Sequence, residues 1–325
     1  MISVSTAEPI EVGYWLSSEE HGPRALVDHA RLAEDHGFEH AMISDHLHPW
    51  VPAQGHAPFV WGVLGAIAEA TDHLHLATGV TAPLVRMHPV VVAHAAATAA
   101  VLLQDRFALG LGTGELLNEH VTGAAWPRSG VRRRMLGEAI EIIRRLFDGD
   151  EVNHEGDHYT VEYAQLFTRP NAPPPIWVAA SGVRTAGLAG QVADGLISLE
   201  PDPSLVSAFE TAGGEGKPRM AQLHVCWATD QAEARASALR MWPNGAIPAS
   251  LLPDLARPTQ FEDAATLVDE DALAEAVLCG PDPEPIARAV QRFAAAGFTR
   301  VYVHQVGLDQ KGFLAFWASE VRPGL

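Results

Sequence analysis

The chain has 325 residues, 47% of them hydrophobic, which is room for two ordinary domains or one large single-core barrel. Lys plus Arg number 22 against 40 Asp plus Glu, and the net charge of −18 argues against nucleic acid and anionic membrane surfaces as partners. Two cysteines in no metal spacing, Cys226 and Cys279, and the want of any apolar run of membrane-spanning length point to a soluble cytoplasmic protein with reduced thiols.

Strand-like and helix-like segments alternate along the chain. Residues 10–16 read as a strand. Residues 23–36 carry Leu26, Ala30 and Ala33 at helical spacing, with Gly37 at the stop position. Residues 40–44 form a second strand, 60–70 a helix, 74–80 a strand, 90–103 a helix and 106–112 a fourth strand. A strongly amphipathic helix follows over 132–147, with Met135, Leu136, Ala139, Ile142, Ile143 and Leu146 on one face. Residues 149–175 break the rhythm and read as an excursion, with a small hairpin near 152–160. The alternation resumes with strand 176–180, helix 184–192, strand 195–199, helix 203–212, strand 220–228 and helix 233–241. A Pro-rich, irregular stretch spans 242–273; helix 283–296, strand 300–305 and helix 313–321 complete the chain. Eight strands, each followed by a helix, imply parallel pairing and a closed (β/α)8 TIM barrel that takes residues 1–325 as one domain. An open doubly wound sheet should carry a nucleotide fingerprint in its first turn, and Ser17-Ser18-Glu19-Glu20-His21-Gly22 has none.

In such a barrel the chemistry sits at the C-terminal strand ends. The second strand runs into Asp45, His46, His48 and Trp50. The third runs into Gly79, Val80, Thr81 and Ala82, and the fourth into Gly110, Gly112, Thr113, Gly114, Glu115 and Asn118. The fifth brings Ala179, Ala180, Ser181 and Gly182, and the eighth His304 and Gln305. His46 and Glu115 are a candidate acid–base couple: imidazole titrates near neutrality, and a carboxyl in a partly apolar pocket keeps a proton to donate. Plainer readings stand beside it: a loop histidine, an acid at the start of a helix near Leu116, an Asp45 that orients His46, an Asn118 in an ordinary loop. The glycines let backbone approach a phosphate or a flat ring, or merely turn the chain. His46 and His48 share the spacing of barrel zinc hydrolases, but they follow the second strand and the eighth brings no Asp, so no metal is expected. Trp50, Phe59, Trp61, Trp126 and Tyr159 are aromatic candidates for a planar-ligand pocket or for plain packing.

Two motifs carry a resemblance. One is Ser44-Asp45-His46-Leu47-His48-Pro49-Trp50 with Gln54-Gly55-His56-Ala57-Pro58-Phe59. The other is Gly110-Leu111-Gly112-Thr113-Gly114-Glu115-Leu116-Leu117-Asn118-Glu119 with Thr122-Gly123 and Trp126-Pro127. They resemble the luciferase-like flavin and deazaflavin oxidoreductases, and within them the coenzyme F420-dependent glucose-6-phosphate dehydrogenase group. The runs 178–182, 194–197 and 301–305 extend the likeness over nearly the whole chain. The resemblance implies a (β/α)8 barrel, a homodimer, F420 in the barrel mouth, and hydride transfer between the deazaflavin and an alcohol or carbonyl substrate. Carried over, His46 is the base for the hydroxyl proton, Glu115 the acid that protonates the reduced ring, Asp45 a residue that helps hold the cofactor, and Trp50 a ring near the reacting centre. Gly79-Val80 matches a non-prolyl cis peptide behind the ring. Thr113, Asn118, Ala179, Ala180, Ser181 and Gly182 match cofactor-contacting positions. The chain departs where a sugar-phosphate enzyme presents lysines and an arginine: an ungapped reading finds Asp202, Leu252 and Glu275, with Lys217, Arg219 and Arg257 nearby, and Ala82 replaces a hydroxyl residue. Acidic groups repel a phosphate dianion, so the expected substrate is not glucose-6-phosphate. An FMN-dependent monooxygenase served by a separate flavin reductase is the alternative, because flavin and deazaflavin have nearly the same shape.

Overall fold

The middle of most strands in this chain is apolar, as in strands covered on both faces. A computed structural model describes residues 10–248 and 251–325. In chain order the elements are β1 (Glu11–Leu16), α1 (Pro23–Asp35), β2 (His40–Ile43), α2 (Val60–Ala70), β3 (His75–Thr78), α3 (Pro89–Leu102), β4 (Phe107–Leu111), α4 (Leu116–Glu119) and α5 (Ser129–Asp148). Then come β5 (Val152–Glu155), β6 (Thr160–Ala164), β7 (Ile176–Ala179), α6 (Val183–Val192), β8 (Gly195–Ser198), α7 (Pro203–Phe209), β9 (Arg219–Cys226) and α8 (Gln231–Met241). The chain finishes with α9 (Pro258–Ala265), α10 (Glu270–Ala276), β10 (Leu278–Cys279), α11 (Glu284–Ala295), β11 (Arg300–Gln305) and α12 (Gln310–Phe316).

Parallel pairing runs from β11 through β1, β2, β3, β4, β7 and β8 to β9, and β9 pairs back to β11. The eight expected strands therefore close into a TIM barrel, and β10 adds a short ninth strand on the end of β9. The barrel interior is filled by one side chain from each of the eight: Trp15, Met42, Ala77, Ala108, Trp177, Ile197, Met220 and Tyr302. Helices seal the outside through stripes such as Leu26, Ala30 and Ala33 on α1, which starts on Pro23 and is followed by Gly37 at φ 84°. Among the described residues no helix is long and apolar enough to cross a membrane.

Two expectations change in detail. The hairpin exists as antiparallel β5–β6, with its second strand reaching Ala164. The stretch 242–273 is less irregular than its prolines suggest. Pro258 opens α9, and Asp269 caps α10 by accepting from the Ala272 amide at 2.7 Å. Each helix has about two turns and a single fully buried apolar residue, Phe261 and Leu273. One buried position makes no periodic stripe, which is why the pattern was invisible.

Candidate active site

The segment after β2 leaves the barrel at its C-terminal mouth, and its polar groups are fixed from below. Asp45 is buried; its Oδ2 accepts from Thr81 Oγ1 at 2.7 Å and its Oδ1 from Arg86 Nη2 at 3.0 Å. Both carboxylate oxygens are thus committed to the chain beyond β3, and Asp45 orients the site. Glu119 balances the same guanidinium from α4: its Oε2 accepts the Val85 and Arg86 amides at 3.1 and 2.7 Å, and its Oε1 lies 3.7 Å from Arg86 Nε. Asn118 ties α4 to the β2 segment by accepting the Leu47 and His48 amides at 2.9 and 3.1 Å on Oδ1. His48 turns its Nδ1 to the Leu117 carbonyl at 2.9 Å.

His46 stands between two carboxylates. Its Nδ1 is 2.9 Å from Glu19 Oε1, a charge contact without an aligned hydrogen bond, and its Nε2 is 3.8 Å from Glu115 Oε2. Glu19 accepts from Ser44 Oγ at 2.7 Å and Ser17 Oγ at 2.9 Å on its other oxygen. Burial alone would push Glu19 up, but the His46 charge and the Ser44 hydroxyl outweigh it and hold the carboxyl down at about 2. Burial works against the His46 charge as well; Glu19, then Glu115 and Asp45, overcome it and raise the imidazole. Desolvation pushes Glu115 upward, with His46 pulling the other way. Although Glu115 is the N-cap of α4, its carboxyl makes no cap bond, so it is free to face the mouth. Trp50 packs edge-on to His46 at 5.0 Å between ring centroids, and buried Phe261 sits behind it at 5.2 Å.

A flat floor lies beside this couple. The Gly79–Val80 peptide is cis. At Gly112 a Cβ would sit 2.6 Å from Val80 Cγ2, so only glycine lets β4 pass the bulge. Gly114 holds φ 65° just before Glu115. Thr113 and Ala179 are half-buried around the floor, Ala180 is buried, and Ser181 and Gly182 are exposed. Gly182 is the N-cap of α6 and offers no side chain to its first-turn amides.

Ser17, Glu19 and Glu20 after β1, and Arg86 and Glu119 around Asp45, were not among the expected site residues. The signal for the first three was present: a polar run directly after an apolar strand, the rule applied to β2. Glu20 makes a second acid–imidazole pair with His304, Oε2 to Nε2 at 2.8 Å, and both side chains are fully buried. Burial pushes Glu20 up to about 8 and His304 down to about 3. Trp242 packs edge-on to His304 at 4.5 Å and lies 5.3 Å from half-buried His224, completing an aromatic, uncharged wall. Gln305 instead bonds the backbone of Trp227. The aromatic candidates do not converge. Trp61 packs on Phe107, Tyr159 donates to the Pro83 carbonyl at 2.9 Å, Trp126 lies under Arg132 at 4.3 Å, and Phe59 is exposed; only Trp50 reaches His46. Lys217 and Arg219 sit at the N-terminal end of β9, away from the mouth, occupied by the Gly190 and Ala193 carbonyls and by Glu210. Asp202 caps α7. Among the described residues no group of three or more His, Cys, Asp or Glu is placed to hold a metal.

Known proteins resemble this chain over most of its length. A family model described as luciferase-like monooxygenase matches residues 3–300. The F420-dependent glucose-6-phosphate dehydrogenase of Nakamurella multipartita is 35% identical over 98% of both chains. The enzyme of that name from Microbacterium testaceum is 33% identical, also over 98% of each. Among solved structures, an F420-dependent secondary alcohol dehydrogenase in complex with an F420–acetone adduct superposes with a TM-score of 0.90 at 26% identity, covering 97% of this chain and 98% of that one.

Proposed function

This chain belongs to the luciferase-like monooxygenase family, and we propose that within it the protein is an F420-dependent oxidoreductase acting on an uncharged alcohol or its carbonyl partner. The observation that carries the reading is the convergence of His46 and Glu115 across 3.8 Å at the barrel mouth, each with its proton affinity raised. When bound, the deazaflavin supplies the site that gives or takes hydride. The chain fits such a group: the Val80–Gly112 contact leaves a smooth floor for a planar ring, and the uncapped first turn of α6 offers amides to an anionic tail. Gly79, Val80, Thr113, Ala179, Ala180, Ser181 and Gly182 would hold it, with Asp45 and Asn118 keeping the surrounding loops in place.

His46 works on the substrate oxygen. Neutral, it takes the hydroxyl proton of an alcohol; charged, it gives a proton to a carbonyl. Glu19 fixes the ring through Nδ1, so Nε2 is the atom that exchanges the proton. Glu115 is the acid beside the ring site, its proton affinity raised by desolvation against the pull of His46. Trp50, Trp242 and neutral His224 wall the substrate side with apolar surface. Two of the three positions read for sugar-phosphate ligands are acidic: Asp202 is a helix cap, and Glu275 is an exposed acid on α10. A phosphate dianion would meet the wrong sign of charge there.

Titrating the protein with oxidised F420 and with FMN tests the cofactor. Binding of F420 at least about tenfold tighter than FMN is expected, and FMN affinity without F420 affinity overturns the reading. Turnover of small secondary alcohols such as propan-2-ol, against weak or absent turnover of glucose-6-phosphate, tests the substrate. The reverse preference would mean that the late loops hold a phosphate after all. Glu115→Gln should lower turnover by about 10²–10³-fold while F420 still binds.

A further inference from the structure

The two cysteines are remote in sequence, yet the fold makes them neighbours. Cys226 ends β9 and Cys279 ends β10, and the parallel pairing sets them opposite one another in register. Neighbouring strands stand about 4.7–4.9 Å apart, inside the roughly 4.4–6.8 Å Cα span that a disulfide bridges. Both are free thiols. Cys226 is buried and donates to the Val306 carbonyl at 3.3 Å; Cys279 is half-buried and donates to the Val277 carbonyl at 3.4 Å. Neither contact is a strong one, so the sulfurs are held close by the sheet and by little else. Their surroundings matter for the mouth. Cys226, Met241, Trp242, Leu273 and Val277 form one apolar cluster, with Trp50 and Cys279 packed against it. The cluster backs the wall that faces His46, and β10 is where the stretch with α9 and α10 rejoins the barrel.

We propose that Cys226 and Cys279 are a peroxide-oxidisable dithiol whose disulfide pins β10 to β9 and fixes the wall of the mouth. Cys279 reacts first. It is the more accessible sulfur, and its partner thiol stands opposite it in register. Its thiolate attacks one oxygen of the peroxide, giving a sulfenic acid and releasing the other oxygen as water. The Cys226 thiol then attacks that sulfur, the S–S bond forms, and the second oxygen leaves as water. Two thiols lose two electrons and two protons in total, and one peroxide is reduced to two waters. A dithiol reductant reverses the step. Cys226 suits the resolving role: it is buried away from peroxide and stands opposite Cys279 in register, so the sulfenic acid is the electrophile it meets.

The test uses the intact, cofactor-free protein treated with dilute hydrogen peroxide, with thiols counted after denaturation and the chain weighed. Free thiols should fall from two to none, with a mass loss of about 2 Da per chain and no covalent dimer. Dithiothreitol should restore both thiols. The oxidised form should melt several degrees higher, because the cross-link shortens the unfolded loop, and proteolytic cleavage between α9 and β10 should slow. Under the same treatment Cys279→Ser should keep a free Cys226, whereas Cys226→Ser should gain oxygen at Cys279 and form no intramolecular bridge. Two thiols still free after treatment of the wild-type chain overturn the proposal. So does a gain of about 32 Da at Cys279 beside an untouched Cys226, which would show sulfurs too far apart to join. None of these readouts depends on which cofactor the mouth binds.

Discussion

His40 opens β2 and His46 follows three residues after its last, one at the barrel floor and one at the mouth, and the protein treats them in opposite ways. Burial, then the Arg300 charge, pushes His40 down to about 4, while Glu11 opposes too weakly to matter. His46 is raised despite being the more enclosed. Residue type is the same and a carboxylate lies near each, so neither decides the outcome. The burial of the carboxylate and the Arg300 charge beside His40 do. Glu11 is 55% exposed and 3.7 Å from its histidine, and it also pairs with Arg300. Glu19 is 1% exposed and 2.9 Å away. Water screens the first pair and is excluded from the second. The floor is lined by His40, His75, Arg106 and Arg300 around a cavity of about 200 Å³, whereas the mouth, in the function proposed above, holds and releases a proton.

Replacing each histidine by asparagine, whose amide keeps the Nδ1 donor, should give the widest separation. His46→Asn is expected to lower turnover by about 10²–10⁴-fold, and His40→Asn to leave it within about twofold. The pH profile gives the sign. Alcohol oxidation needs neutral His46, so its rate should climb as pH rises through the raised imidazole value; carbonyl reduction needs the charged form and should decline over the same range. Equal losses in the two variants, or profiles sloping the same way, would erase the distinction between the two ends of β2.

Removing a mouth cation should come next. Arg86→Ala leaves Asp45 and Glu119, each 1% exposed, without their shared guanidinium. Breaking a buried pair from one side typically destabilises by about 3–5 kcal/mol, and urea unfolding at neutral pH measures it. A loss under about 1 kcal/mol would mean that water already reaches those carboxylates.

Much of this was legible in the chain, and the reason is local. An apolar strand followed at once by titratable residues, as in Met42-Ile43-Ser44-Asp45-His46, points to both the barrel and the end where a site is to be sought. Eight strand–helix units set the topology, and the strand-end rule pointed to His46, Glu115 and Trp50, which the structure brings together at one end of the barrel. What it missed depends on contacts between distant segments. Glu19 and Glu20 look like a solvated acidic run until Ser44 and His304 are seen beside them. Arg86 is one of many arginines until Asp45 and Glu119 close on it. The pairing of Cys226 with Cys279 needs β10, a strand of two residues too short to leave a pattern. Helices α9 and α10 were lost for a similar reason, each having one buried apolar residue.

Acid titration should separate the two ends by a smaller margin. His40 binds its proton less readily folded than unfolded, so its contribution to stability is present above its ordinary value near 6.5 and is lost as pH falls toward about 4. His46 does the reverse: its contribution is whole below that ordinary value and fades as pH rises through its raised one. His40→Asn should therefore recover about 2 kcal/mol relative to wild type at pH 4, and nothing at pH 8. An acid limb unchanged by the substitution would place its origin elsewhere, in the carboxylates of the mouth.

The smallest effect is expected from the floor ion pair itself. Arg300 is 15% exposed but its partner Glu11 is 55% exposed, and a pair with one half in water is worth about 0–1 kcal/mol. Removing the guanidinium also relieves His40 and His75, both of which it pushes down. These two consequences oppose each other: a lost surface pair lowers stability, while freed histidines regain protons and lessen the acid loss. Arg300→Ala should accordingly unfold within about 1 kcal/mol of wild type at pH 7, shift its acid transition to lower pH, and leave turnover intact. A drop comparable to that of Arg86→Ala would show that the floor excludes water as well as the mouth does, and that something other than solvent access separates His40 from His46.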